Sequence, residues 1–193
     1  MIIDPKSTPP VDVYKVLIGS IVPRPIAFVS TLDADGVRNV APFSFFTVAS
    51  SDPPIVCFTP TGQKDTLINI RATGEFVVNI VSEDFAEEMN IASGTYPPHV
   101  DEFAVSGLTP IESTLVKPPR VAESRVQMEC RRFQILEIGS GALVLGEVVL
   151  IHVDDRIIEN YRIDPDALRA IGRMGGNTYA RTTDRFDLTR PKV

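Results

Sequence analysis

Sixteen prolines and twelve glycines are scattered through the 193 residues, and no other property of the chain restricts its architecture so strongly. They do not collect in one linker. They cut the chain into short apolar runs, which is the punctuation of a protein built from many strands. The clearest unit is Pro25-Ile26-Ala27-Phe28-Val29-Ser30-Thr31-Leu32, which runs into Asp33-Ala34-Asp35-Gly36 before residues 37–46 lead back. Asp-Gly supplies the positive φ of a tight turn, so this segment is predicted to be a hairpin. Further strands are predicted at 55–59, 76–81, 126–138 and 142–153, all rich in β-branched or large apolar residues, with Gly139-Ser140-Gly141 turning the last two into a second hairpin.

Helical patterns are few and short. Residues 11–18 carry Tyr14, Leu17 and Ile18 on one face, and residues 64–72 carry Leu67, Ile70 and Arg71. Both are expected to plug a barrel. Residues 83–92 space Phe85, Met89 and Ala92 as a helix does, and Asp164-Pro165-Asp166 offers a cap and a first-turn proline for a helix running through Ile171. Residues 95–119 turn to Pro, Gly and polar types around small apolar anchors, which predicts a long surface excursion able to cover a site. The expected fold is mainly β, a barrel with a few short helices, in a single domain over residues 1–193.

Composition removes whole classes of function. Apolar residues at 44% and charged residues at 23% describe a soluble globular chain. Nineteen Lys and Arg against twenty-five Asp and Glu give a net charge of −6, which argues against a nucleic-acid partner. No apolar run approaches the roughly 20 residues of a membrane span. The start, Met1-Ile2-Ile3-Asp4-Pro5, has no basic region followed by an apolar stretch, so no membrane association and a cytoplasmic location are expected. Cys57 and Cys130 sit far apart in apolar runs and are read as buried free thiols. His99 and His152 have no neighbouring ligand at metal-binding spacing, so no metal is expected.

Three segments carry candidate chemistry. Val22 to Thr31, followed by Asn39 to Phe46, places hydroxyls, an amide and aromatic rings on adjacent strands. That mixture suits an apolar slot for a flat ring, with Ser30, Thr31, Asn39 and Ser44, or their backbone groups, at its polar edge. Strand ends collect Ser and Pro for purely conformational reasons too. At Gly62-Gln63-Lys64-Asp65-Thr66 a turn feeds a helix, so free N–H groups, the Lys64 ammonium and the Thr66 hydroxyl can meet a phosphate. The plainer alternative is a helix capped by Asp65 or Thr66 with Lys64 in water. Gly172 to Tyr179 lets the backbone approach a ligand while presenting Arg173 and Tyr179, as an ordinary glycine-rich loop also would. His152 ends an apolar strand, either packed or pointing into a barrel mouth. There is no GxGxxG unit of a dinucleotide fold, no Walker loop, no GxSxG elbow and no HExxH helix.

Taken as ordered blocks, the sequence resembles the flavin reductase-like family of FMN-binding split barrels, which includes flavoredoxins and the reductase components of two-component flavin monooxygenases. The blocks are Pro23-Arg24-Pro25-Ile26-Ala27 with Ser30-Thr31, Gly36 with Asn39 to Phe46, Lys64-Asp65-Thr66 with Asn69-Ile70, Glu75 to Asn79, Gly146-Glu147-Val148, and Arg173 to Tyr179. The resemblance implies a Greek-key split barrel, a homodimer, and FMN, with FAD as an option, bound without a covalent link near the dimer interface. The strand from Pro25 to Thr31, with Pro25, Ala27, Ser30 and Thr31, and the segment from Ala41 to Phe46, with Ala41, Pro42, Ser44, Phe45 and Phe46, would flank the flavin ring, and Arg24 and Asn39 would be among the cofactor-binding residues. Lys64, Asp65 and Thr66 would reach the phosphate, Arg173, Gly175 and Tyr179 would close over the cofactor, and His152 would lie on the nicotinamide side. The implied reaction is hydride transfer from NAD(P)H to flavin, with reduced flavin supplied to a partner oxygenase or another acceptor. The alternative is a flavoredoxin-like FMN carrier reduced by a redox-protein partner. A split-barrel module that performs no redox step is a third reading.

Overall fold

A computed structural model describes residues 1–191, so the last two positions of the predicted domain lie outside the described residues. Seven strands form one antiparallel sheet: β1 (Ala27–Leu32), β2 (Arg38–Phe43), β3 (Phe46–Ser51), β4 (Pro54–Phe58), β5 (Glu75–Ile80), β6 (Val126–Ile138) and β7 (Gly141–Val153). Their order is β2-β1-β5-β6-β7-β4-β3. The first predicted hairpin is present, with Leu32 opposite Arg38. Its turn is fixed by the Asp33 carboxylate, which accepts from Asp35 N at 2.9 Å and Val37 N at 2.7 Å, and by Gly36 at φ +86°. The second hairpin turns at Gly139-Ser140, setting Ile138 opposite Gly141.

The sheet's two edge strands, β2 and β3, are joined by only Ser44 and Phe45, so the sheet must roll until its edges meet. Aromatic contacts mark the closure. Phe43 at the end of β2 lies 5.1 Å from Phe58 of β4, which in turn lies 5.6 Å from Phe76 of β5. Val29, Val78, Cys130 and Val144 fill the interior, and Leu67 and Ile70 of α2 (Asp65–Thr73) plug it. Gly146 is needed here, because a Cβ at that position would collide with the Phe76 ring. Outside β1 and β2 a second layer, α3 (Ala86–Ala92) and α4 (Glu102–Ser106), packs Met89 and Phe103 onto Phe28 and Val40. Strand β1 is therefore buried on both faces.

Four expectations change. Helix α1 (Pro10–Ser20) forms but plugs nothing, since it buries no residue. Its apolar side chains Val11, Tyr14, Val16 and Leu17 are spread around the axis and all stand about half exposed. The helix opened by Asp164 stops at Leu168 as α5 (Pro165–Leu168), because Arg169 turns to φ +52° and the amide of Ile171 donates to Val81 O in a strand-like bridge. The return strand breaks at Ser44, and the separate strand β3 follows. Residues 95–119 are no mere surface excursion. Phe103 and Leu108 are buried. Residues 109–121 form a strap held by polar side chains of the sheet: Asn79 Oδ1 accepts from Val121 N at 2.9 Å, and the Ser30 hydroxyl donates to Pro119 O.

Both cysteines are free, Cys130 buried and Cys57 half-buried, and burial pushes each thiol's pKa up. No helix among the described residues is long and apolar enough to cross a membrane.

Candidate functional site

The corner between β2 and β3 meets the chain that enters β1, and Arg24 holds the two together. Its backbone pairs with Arg173, N to O at 3.0 Å and O to N at 2.8 Å, which brings in the hairpin of β8 (Ile171–Arg173) and β9 (Tyr179–Arg181). Its guanidinium donates to the carbonyls of Ile18 and Ile21 (2.8 Å) at the end of α1, to Met174 O at 2.8 Å and to Ser44 Oγ at 3.4 Å. At 6% exposure, with these four bonds in place, Arg24 is a clamp on three pieces of chain.

The clamp walls a cavity of about 420 Å³, a size suited to a small cofactor or part of one. Ile18, Pro42, Met89 and Tyr179 supply apolar surface, and Ser44, Arg173 and Asn177 supply polar groups. Arg173 stacks 4.5 Å over the Tyr179 ring and donates to its hydroxyl. Gly172 fits only as glycine, since a Cβ would lie 2.7 Å from Pro23 Cβ. Beyond the Arg173 and Tyr179 pair the hollow continues over α3, past Glu87, Asn90 and Arg181.

The structure thus brings together Arg24, Pro42, Ser44, Arg173 and Tyr179, with Gly175 in the same turn between β8 and β9. Other predicted residues lie elsewhere. Pro25 and Phe45 are exposed beside the site, and Ala41 is half-buried on β2. Ala27 and Phe46 belong to the barrel interior.

Ser30, Thr31, Asn39 and Thr66 are buried, and their side chains are paired inside the protein rather than open to a ring edge. Asn39 is the hub. Its Oδ1 accepts from Thr66 Oγ1 at 2.8 Å and Thr31 Oγ1 at 3.2 Å, and its Nδ2 donates to Glu102 at 3.0 Å. Asn69 Nδ2 donates to Thr31 Oγ1 at 3.0 Å. The Thr66 hydroxyl therefore faces inward, and no side chain among the described residues caps α2. The plain capping alternative is absent, and the first N–H groups of α2 open beside the exposed Lys64 and the half-buried Asp65. Asn39 and Ser44 are separated by about 16 Å of strand β2, so the α2 cluster and the Arg24 cavity stand at opposite ends of one sheet edge.

His152 is not brought to this site. Its Nε2 lies 2.6 Å from Oε1 of Glu129, in a separate cavity with Arg120, Arg125 and Asp154. Gln127, Glu129 and His152 share the outer face of β6 and β7, so strand alternation points the imidazole away from the barrel interior. Glu129 is fully buried and accepts from the amides of Thr114 (2.7 Å), Leu115 (2.6 Å) and Val116 (3.2 Å). Burial alone would raise its pKa, but those amides and His152 outweigh burial and hold the carboxyl below its ordinary value. The sequence reading passed over Glu102 and Glu129, because neither sits in a motif and their partners come from distant segments. It also missed Ile18 and Met89, which look like ordinary helix apolars.

Comparison with known proteins agrees with this geometry. The profile of the flavin reductase like domain matches residues 18–168. Nitrilotriacetate monooxygenase component B from Bacillus cereus superimposes with a TM-score of 0.96 at 35% identity, over 97% of this chain and 98% of that one. The 2-nitrobenzoate 2-nitroreductase NbaA of Pseudomonas fluorescens gives 0.93 at 33% identity, over 99% and 96%. The NADH:riboflavin 5'-phosphate oxidoreductase of Streptomyces pristinaespiralis is 28% identical over 131 residues, 68% of this chain and 72% of that protein. A barrel split along the seam between β2 and β3, a cavity at that seam and a profile match across most of the chain lead to one conclusion: the chain belongs to the flavin reductase-like family.

Proposed function

We propose that this protein is an FMN-binding flavin reductase, which passes a hydride from NAD(P)H to flavin and supplies the reduced flavin to a partner oxygenase or another acceptor. One observation carries the reading. Arg24, Pro42, Ser44, Arg173 and Tyr179, separated widely in sequence, meet around one cavity at the barrel seam. The residues suit the group. Apolar walls at Ile18, Pro42, Met89 and Tyr179 suit a flat ring. The uncapped start of α2 with Lys64, one length of β2 away, suits a phosphate. FMN carries both parts, a ring at one end and a phosphorylated chain at the other.

When bound, the flavin supplies the redox chemistry, since its ring accepts hydride and releases electrons. The protein's part is to hold and orient. Arg24 fixes α1, the Ser44 corner and the β8–β9 turn against one another, so the cavity keeps its shape. Arg173 supplies a cation that offsets negative charge gained by the ring, and no acid–base side chain is required. His152, tied to Glu129 in another cavity, has no part in this scheme.

The likeness to a riboflavin 5'-phosphate oxidoreductase and to a monooxygenase component supports FMN, NADH and an oxygenase partner. A homodimer is supported by apolar side chains left exposed on the sheet. The helices pack chiefly on β1 and β2, while β3 and β6 leave Val48 and Leu136 exposed. A second copy of the chain covers these side chains in this reading, and the protein works in the cytoplasm, where reduced nicotinamide nucleotides are at hand.

The test is the visible spectrum of the purified protein with FMN, taken anaerobically before and after addition of NADH or NADPH. Bleaching of the flavin bands is the expected result. A yellow complex that persists in both nucleotides overturns the reductase reading in favour of the electron carrier. The similarity to a nitroreductase supports a second acceptor, a nitroaromatic compound reduced at the same site. NADH consumption driven by 2-nitrobenzoate distinguishes it from supply to an oxygenase.

A further inference from the structure

Glu102 has no part in the scheme above, yet it is a carboxylate at 6% exposure lying against strand β2. Its Oε1 accepts from Asn39 Nδ2 at 3.0 Å and its Oε2 from Val40 N at 3.4 Å. The chain of bonds continues through Asn39 Oδ1 to the Thr66 hydroxyl at 2.8 Å, in the first turn of α2. The carboxylate is therefore two hydrogen bonds from the segment that takes the phosphate in the reading above.

The groups that face Glu102 are few. From β2 come Asn39 and the Val40 amide, and from α2 comes Asp65, a like charge. On its own element Asp101 is engaged by Arg38 (2.8 Å) and by the amides of Phe103 and Ala104. No cation is among the hydrogen-bond partners of Glu102 in the described residues. Burial pushes its carboxyl pKa up, the bonds from Asn39 and Val40 oppose that rise, and Asp65 adds to it.

We propose that Glu102 is a positioning residue that couples phosphate binding at Lys64 to Thr66 with uptake of one proton from solvent. The proposal rests on the assignment of the flavin phosphate to that segment. Ionised, Glu102 accepts only, so Asn39 must turn its NH2 toward it and its oxygen toward Thr66. The Thr66 proton is then held by Asn39. Once protonated, Glu102 donates to the Asn39 oxygen, the amide reverses, and its NH2 donates to Thr66 Oγ1 and to Thr31 Oγ1, which until then had itself donated to the Asn39 oxygen. The Thr66 hydroxyl is released to donate to an anion, and the buried negative charge that would repel a phosphate is gone. Apart from these hydrogen bonds only the carboxylic O–H bond is made, and the proton added to the carboxylate is the protein's only net transfer.

Glu102→Gln keeps the shape and fixes the reversed arrangement, because its amide donates to Asn39 at every pH. The experiment is calorimetric titration of FMN and of riboflavin, which lacks the phosphate, into wild type and Glu102→Gln, between about pH 5 and about pH 8, in two buffers of different ionisation enthalpy. Relative to the variant, wild-type FMN affinity is expected to fall about tenfold with rising pH, with extra proton uptake on binding, while riboflavin affinity is unchanged by the substitution. If FMN binds wild type tighter than riboflavin but the variant shows the wild-type pH profile and proton count, the proposal fails and the phosphate site stands. If FMN and riboflavin bind wild type alike, the phosphate site fails and the proposal with it. Should the variant not fold, wild type alone decides. More protons taken up with FMN than with riboflavin, beyond those exchanged by the FMN phosphate itself, whose second pKa is about 6, support the coupling, and an equal or smaller number overturns it.

Discussion

A guanidinium bonded at once to α1, to the Ser44 corner and to the turn after β8 does what an ammonium cannot, because its donors are fixed in a planar fork. Arg24→Lys retains the charge and loses most of this geometry. The expected cost is about 2 kcal/mol of stability and about tenfold in FMN affinity, read by thermal melting and by quenching of flavin fluorescence on titration. Unchanged affinity would show that the cavity does not depend on the clamp. Residue identities in this region were legible from sequence, but side-chain directions were not. Thr66 and Asn39 are 27 positions apart, and Asn39 and Glu102 are 63 apart. Nothing local told the hydroxyls to face a buried amide rather than a ligand. His152 shows the same limit, since its partner Glu129 lies across the β6–β7 ladder.

At the scale of elements, the strap over residues 109–121 is fastened largely by Glu129, whose carboxylate collects three consecutive amides. Its pKa is lower in the folded state than in the unfolded chain. The stability it contributes is therefore fully present above the ordinary carboxylate value, and it is lost as pH falls through the depressed folded value. Hydrogen exchange of the Thr114 to Val116 amides should accelerate in that acid window relative to the core of β5. Glu129→Gln should remove the acid dependence and cost about 3 kcal/mol, because one of the two acceptor oxygens of this buried side chain is lost beneath three backbone amides. Exchange that stays slow in the variant would show the strap to be held by its apolar anchors instead. The two long strands were legible because β-branched runs bracket Gly-Ser-Gly. Helix α5 was overextended because its cap is local, whereas the bridge from Ile171 to Val81 that ends it is not.

For the whole molecule, the apolar side chains left exposed on β3 and β6 predict that the 21.2 kDa chain sediments at twice that mass. Replacing Val48 and Leu136 together with Glu should shift it to monomer, visible by analytical ultracentrifugation, and should weaken flavin binding if the partner helps to build the site. A wild-type monomer would discard the dimer. The β-rich class was readable from the punctuation of the chain. The strand order was not, because β4 and β5 are consecutive in sequence yet separated in the sheet by β6 and β7, with α2 carrying the chain across the barrel.

That order leaves a debt at the seam. A sealed cylinder pairs every strand on both sides and has no main chain to offer, whereas here β2 and β3 each have one laddered neighbour. Side chains such as Glu102 answer part of the deficit, at Val40. The rest is a strip of oriented donors and acceptors that neither aggregates with ease, being interrupted by Pro42 and the Ser44 corner, nor needs a dedicated binding domain to be recruited. In such a barrel the vacancy in the sheet and the capacity to hold a planar, hydrogen-bonding molecule are the same thing.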